Sequence, residues 1–168
     1  DVIRTTAPNS ATTPIVVFGD EAVLTFDSAA NRLTTAESDT EGSGDEDQIT
    51  SSSDFVAAVG GPDRDVITGG PGHSWFSGDD AILVFADDNT LESISTSNSG
   101  VGDNDDITVG DGDNVVIGSA GADTINAATG TNTILGDEGS ITLNASGDLV
   151  SAVSTNADVG AADTFTLG

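Results

Sequence analysis

The chain is 168 residues long, enough for one domain or a short array of repeats. It carries 29 acidic residues against three basic ones, Arg4, Arg32 and Arg64, and its net charge of -26 argues against nucleic acid, anionic membranes and other polyanions as partners. With 36% hydrophobic residues and 21 glycines it would struggle to fill a conventional core, and without cysteine it offers neither disulfides nor thiolate metal sites.

No stretch has the length of a membrane span or the pattern of a signal peptide. The chain opens on Asp1 and contains no Met, Lys or Tyr, so we expect it to be a stretch of a longer polypeptide. Residues 1–18 read as the end of a repeat, because Asp1-Val2-Ile3 matches Asp65-Val66-Ile67. At residue 19 a long unit begins. VFGDEAVLTF (17–26), FSGDDAILVF (76–85) and LGDEGSITL (135–143) align, which places Gly19, Gly78 and Gly136 59 and 58 residues apart. The boundaries that follow are 19–77 for repeat one, 78–135 for repeat two and 136–168 for a partial third.

Each unit opens with a spacer of about 22 residues, clearest as GDEGSITLNASGDLVSAVSTNA (136–157). Apolar and polar residues alternate on both sides of the turn NASGD, which reads as a β-hairpin or as one wider coil. Four nine-residue segments follow. In repeat one they are GSGDEDQIT (42–50), SSSDFVAAV, GGPDRDVIT and GGPGHSWFS (69–77). In repeat two they are GVGDNDDIT (100–108), VGDGDNVVI, GSAGADTIN and AATGTNTIL (127–135), and DVGAADTFT (158–166) opens the third set. β-branched residues, Gly, Asn and Asp dominate throughout, all weak helix formers.

These nonapeptides resemble the RTX (repeats-in-toxin) consensus G-G-x-G-x-D-x-U-x, most closely at GGPDRDVIT, GSAGADTIN, GVGDNDDIT and GSGDEDQIT. SSSDFVAAV departs from it. The resemblance implies an all-β fold, a right-handed parallel β-roll or β-solenoid. A six-residue turn would precede each three-residue strand, and 18 residues would make one coil between two small sheets. Ile49, Ile67, Ile107, Val116, Ile125 and Ile134 would then point inward. Burying each contributes roughly 1.5–3 kcal/mol, against about 1–2 kcal/mol of backbone entropy for every ordered residue. Apolar burial alone does not stabilise such a coil.

Charge deepens the problem. Coils about 4.8 Å apart would stack their sixth-position carboxylates on the order of 5 Å apart, where two unit charges repel by about 3 kcal/mol at an effective dielectric of 20. A hard divalent cation between coils reverses the sign. Calcium, with its six to eight oxygen ligands, suits a set of carboxylates and turn carbonyls better than magnesium does. Position six is Asp47, Val56, Asp65, Ser74 in repeat one and Asp105, Asn114, Asp123, Asn132 in repeat two. Calcium ions are therefore expected along one edge, between Asp47 and Asp65 and between Asp105 and Asp123, with Asp163 continuing the series. Asp79 and Asp80, and Asp137 with Glu138, fall on the same edge and are expected to close a second site with Asp65 and Asp123. Asp45, Asp63 and Asp103 and the glycines Gly60, Gly100 and Gly118 complete the candidate ligands. The opposite edge is expected to be an Asn, Ser and Thr ladder, with a weaker site near Asp111 and Asp113.

Other features read as bland. His73 and Trp75 do not recur at Thr131 and Thr133 and read as a surface substitution. Acidic pairs repeat rather than occur once, so no catalytic constellation stands out. The expected role is a calcium-stabilised structural segment of a secreted extracellular fibre, adhesin or surface layer. It would bind calcium, self-associate with neighbouring repeats or chains, and fold outside the cell, with no nucleic acid and no membrane insertion. The alternatives are a ligand- or ice-binding adhesin module and an accessory domain of a secreted protease or lipase.

Overall fold

The computed structural model describes residues 1–6, 14–39, 43–156 and 159–168. Gly42 and Asp158, which open two of the nonapeptides, lie outside the described residues. Within them the chain is all-β, without a helix. The strands run β1 Val2–Thr5, β2 Ile15–Phe18, β3 Ala22–Asp27, β4 Arg32–Ser38, β5 Gln48–Ser51 and β6 Phe55–Val59. They continue with β7 Val66–Thr68, β8 His73–Ser77, β9 Ala81–Phe85, β10 Leu91–Thr96, β11 Asp106–Val109 and β12 Asn114–Ile117. The last are β13 Thr124–Ala127, β14 Asn132–Leu135, β15 Gly139–Leu143, β16 Leu149–Ser154 and β17 Thr164–Leu167.

Three sheets result. The first is parallel, in the order β1-β5-β7-β11-β13-β17, and the second, also parallel, runs β14-β12-β8-β6-β2. Successive strands of a sheet come from passes of the chain that alternate in length. Ile67 pairs with Ile49, 18 residues earlier, and with Ile107, 40 residues later. The longer pass carries the spacer, which is a hairpin and not a wider coil. The three hairpins β3–β4, β9–β10 and β15–β16 join edge to edge through β4–β9 and β10–β15 into a six-stranded antiparallel sheet. The third hairpin turns where Asn144 Oδ1 accepts the amides of Ser146 at 2.8 Å and Asp148 at 3.0 Å, an Asx turn.

The expected inward aliphatics do line the space between the two parallel sheets. Ile49, Ile67, Ile107, Val116 and Ile125 are buried there with Phe76. Ile134 is only half-buried, because β14 ends its sheet. A second core lies on the other side of the second sheet, where Ala57, Trp75, Val115 and Ile117 meet Leu83, Ile94 and Ile141 of the hairpins. The second sheet is thus covered on both faces, which is why FVAAV (55–59) and NVVI (114–117) are continuous apolar runs rather than alternating ones. Trp75 belongs to this core and is not a surface substitution. Its ring stands edge-on to Phe55 at 5.9 Å and tilts against Phe85 of a hairpin at 6.5 Å.

Candidate metal centre

Turns that lead into the first sheet, from the second sheet before β7 and β13 and from a hairpin before β5, β11 and β17, end on the sixth residue of a nonapeptide, and that residue is Asp each time. Parallel pairing of the following strands stacks these aspartates in one column. Asp65 Oδ1 accepts the Asp47 amide at 2.7 Å, Asp105 Oδ1 the Asp65 amide at 2.7 Å, Asp123 Oδ1 the Asp105 amide at 2.8 Å, and Asp163 Oδ1 the Asp123 amide at 3.0 Å. All five expected residues therefore share one edge. Asp1 is a sixth, with its amino group 2.6 Å from Asp47 Oδ1. The match of Asp1-Val2-Ile3 to Asp65-Val66-Ile67 is the signal that would have placed it among the candidates.

The second carboxylate oxygen separates this edge from the opposite one. There Asn114 holds position six, and its Oδ1 accepts the Ser74 amide at 3.0 Å, the same rung as on the aspartate edge. Its Nδ2 turns back and donates to the carbonyls of Gly110 at 3.0 Å and Gly112 at 3.3 Å and to Asn132 Oδ1 at 2.8 Å. An ionised aspartate has no proton to give at that place. Oδ2 of Asp47, Asp65, Asp105 and Asp123 is buried without a hydrogen-bond partner. It lies against backbone: a β-carbon at Gly60 would overlap both Asp65 Oδ2 and the Gly78 carbonyl, and one at Gly118 both Asp123 Oδ2 and the Gly136 carbonyl. An unpartnered buried carboxylate is costly. Burial, opposed by the amide bonds, pushes Asp65 up to about 8 and Asp123 up to about 7. Asp105 is also raised, by burial and then by the charge of Asp123.

A shorter column runs beside the first. Asp79 is buried and accepts the amides of Ala120 at 2.8 Å and Asp103 at 3.3 Å. Burial raises its pKa, followed by the charges of Asp105 and Asp123. The partner expected for Asp79 is Asp65; the charge that acts on it most is that of Asp105, which follows the hairpin. The charge of Asp137 raises Asp123 and Asp163. Asp20 occupies the equivalent place in repeat one, with a buried, unpartnered Oδ2; the alignment of GDE (19–21) with GDD (78–80) was its signal.

The remaining candidates are otherwise engaged. Asp80 Oδ2 accepts Asn98 Nδ2 at 2.8 Å. Glu138 accepts Ser99 Oγ and Asn156 Nδ2, each at 2.8 Å, and the Gly100 amide. These bonds prevail over burial and hold Glu138 below the usual carboxylate range. Both residues fasten the connection after a hairpin, and Gly100 serves that clamp rather than the aspartate column. Asp45 and Asp103 are exposed and Asp63 half-buried, on the outer rim of the turns. On the opposite edge Asp111 Oδ1 accepts the amide and hydroxyl of Thr129 at 3.2 and 2.6 Å, and Asp113 Oδ1 the Thr131 amide at 3.3 Å, so both are hydrogen-bonded to threonines there.

Among the described residues no three acidic or imidazole side chains close around one point. A cation on this edge would draw on carboxylates from neighbouring passes and on turn carbonyls. That all-oxygen set, with orphaned Oδ2 atoms aimed into it, fits a hard cation. No family model, curated protein or solved structure matches the chain.

Proposed function

We propose that the chain is a calcium-stabilised, right-handed parallel β-roll with a hairpin layer, a non-catalytic structural segment of an extracellular fibre, adhesin or surface layer. The observation that carries the reading is the contrast between the edges. Position-six asparagine satisfies both its polar atoms, whereas position-six aspartate buries an oxygen that nothing contacts by hydrogen bond. Calcium, when bound, supplies positive charge and accepts several oxygens from carboxylates and backbone carbonyls. Asp47, Asp65, Asp105, Asp123 and Asp163 would hold it through Oδ2, with Asp79 and Asp137 beside them and the carbonyls of Gly60 and Gly118 nearby. Without a cation, these carboxylates repel along the column and lose their hydration, so the unfolded chain is favoured. A ligand that binds only the folded chain then draws the equilibrium toward it. In low calcium the acidic chain stays open and exportable; in the millimolar calcium outside a cell it folds.

The test is circular dichroism during a calcium titration at pH 8, with magnesium as control. The expected result is a disordered spectrum in chelator and a β spectrum that appears with calcium but not with equal magnesium. A complete β spectrum in chelator at that pH would overturn coupled folding.

A further inference from the structure

Two segments that depart from the repeat meet in one place. SSSDFVAAV carries Phe55 where repeat two has Asp113, and GGPGHSWFS carries His73 and Trp75 where repeat two has Thr131 and Thr133. His73 and Trp75 are the chain's single histidine and single tryptophan. On the face of the second sheet that looks toward the hairpins, Phe55 pairs in register with His73, and Ala57 with Trp75. The Phe55 and His73 rings lie 4.6 Å apart and tilt by 52°, with Trp75 edge-on to Phe55 at 5.9 Å. Asp113 comes next in the row of Phe55 and His73. His73 Nδ1 donates to its carbonyl at 3.2 Å, and its side chain is 65% exposed. These side chains and the buried Leu91 and Leu143 of the hairpins line a cleft of about 310 Å³. β6, β8 and β12 each have a strand on both sides in their sheet, as β10 and β15 have in theirs, so these walls lie inside the stack and not at its ends. A feature that stacking requires recurs from repeat to repeat, and the second repeat does without all three rings.

We propose that this cleft binds a small organic cation, an ammonium group carried on a compact apolar body. Ring faces attract a cation within about 6 Å, most strongly where water is excluded. The Asp113 carboxylate supplies the opposite charge, and none of the chain's three arginines lines the cleft. The net charge of -26 draws cations toward the surface and turns anions away. Leu91 and Leu143 give the cleft an apolar floor, which suits methyl and methylene groups. Its shape decides against a flat sugar ring. Phe55 and His73 meet as a corner rather than a platform, and Trp75, 6% exposed, presents no open face. A round head group fits the corner. The aspartate column leads into the first sheet, so the two sites share no side chain.

Tryptophan fluorescence tests this, because the chain has one Trp and no Tyr and the emission comes from Trp75 alone. The titrations use protein in calcium at pH 8 with the β spectrum verified complete, which keeps the outcome separate from the calcium reading. Choline and 3,3-dimethylbutan-1-ol are the probes, alike in shape and different in charge, with cellobiose as the sugar. Choline is expected to shift the emission saturably, and the neutral alcohol and cellobiose to leave it unchanged. Asp113→Asn removes the charge and keeps the oxygen that accepts the Thr131 amide; it should weaken choline roughly fivefold. His73→Thr copies the residue the second repeat holds at 131, which the fold accommodates, and should weaken it by a similar factor of roughly five. Glu37→Gln, at an exposed position on β4 outside the cleft, should change nothing. A folded parent that does not respond to choline, an equal response to the neutral alcohol, saturation by cellobiose instead, or equal weakening by Glu37→Gln and Asp113→Asn overturns the proposal.

Discussion

Asp105 and Asn114 hold the same place in a nonapeptide, and the difference between them is one atom. Both accept a neighbouring position-six amide through Oδ1. Asn114 then closes its own turn through Nδ2, while Asp105 leaves Oδ2 buried and unpartnered. Asp105→Asn should therefore stabilise the metal-free protein, by about 1–3 kcal/mol from lost repulsion and desolvation. The same variant should lose part of the calcium-induced gain. Circular dichroism during calcium titrations of parent and variant reads both, as a larger β signal in chelator and a weaker response to calcium; an unchanged calcium midpoint would count against a cation at this residue. Arg32 offers a second contrast. Its largely buried guanidinium donates to the carbonyls of Phe85 at 3.3 Å and Ala86 at 3.0 Å, tying the first hairpin to the second, and also meets the fully exposed Asp87 at 2.7 Å. Arg32→Ala should cost about 1.5–3 kcal/mol, the range of hydrogen bonds from a charged group. Asp87→Ala should cost less than about 1 kcal/mol, because a solvated ion pair contributes little. Denaturant midpoints of the two variants distinguish them.

At the scale of the element, the aspartate column couples neighbouring strands to pH. Asp65 and Asp123 titrate in the folded chain near 8 and 7, above their ordinary value of 3.8, because burial penalises the charged form. The folded chain therefore binds more protons than the unfolded one between these limits. The stability from this source is complete below about pH 4 and is lost as pH climbs through 7 to 8. Chelated protein should show a β spectrum at pH 5 that fades as pH rises through 7 to 8, and saturating calcium should keep the chain folded across that range. Circular dichroism over a pH series, in chelator and in calcium, checks the sign, and a chelated chain that gains β signal between pH 5 and pH 8.5 refutes it. How much of the column was legible follows from the same chemistry. An 18-residue period places Asp47 with Asp65 and Asp105 with Asp123, and the structure stacks them so. Asp79 was harder to place, because the charge that acts on it most, Asp105, lies beyond the spacer in sequence. Period counting cannot tell a hairpin from a wide coil, since both can alternate apolar and polar residues. The third layer did leave a trace, in the uninterrupted FVAAV and NVVI runs, but a short apolar run does not name what will cover it. Glu138 has the charge of a ligand, and only its three donors show it to be a clamp.

For the whole molecule, the alternation of 18- and 40-residue passes fixes how length grows with sequence. Each 58-residue unit adds two strands to every sheet, so the first sheet gains two spacings of about 4.8 Å, or roughly 10 Å, per repeat. Contacts run between neighbouring passes, so an inserted unit meets the same surroundings as its predecessor. A chain with residues 78–135 duplicated in tandem should therefore keep the per-residue β spectrum of the parent. In calcium its longest dimension by small-angle scattering should grow by roughly 10 Å with an unchanged cross-section. Melting should also become more resistant, because the duplication adds one more repeat–repeat interface and no new end. The cross-section is the discriminating quantity. A stack that lengthens leaves it fixed, whereas hairpins that packed sideways on one another would widen it and leave the length unchanged. An insertion that thickened the particle would therefore contradict the layered stack at its root, even if every aspartate in the column still bound its cation.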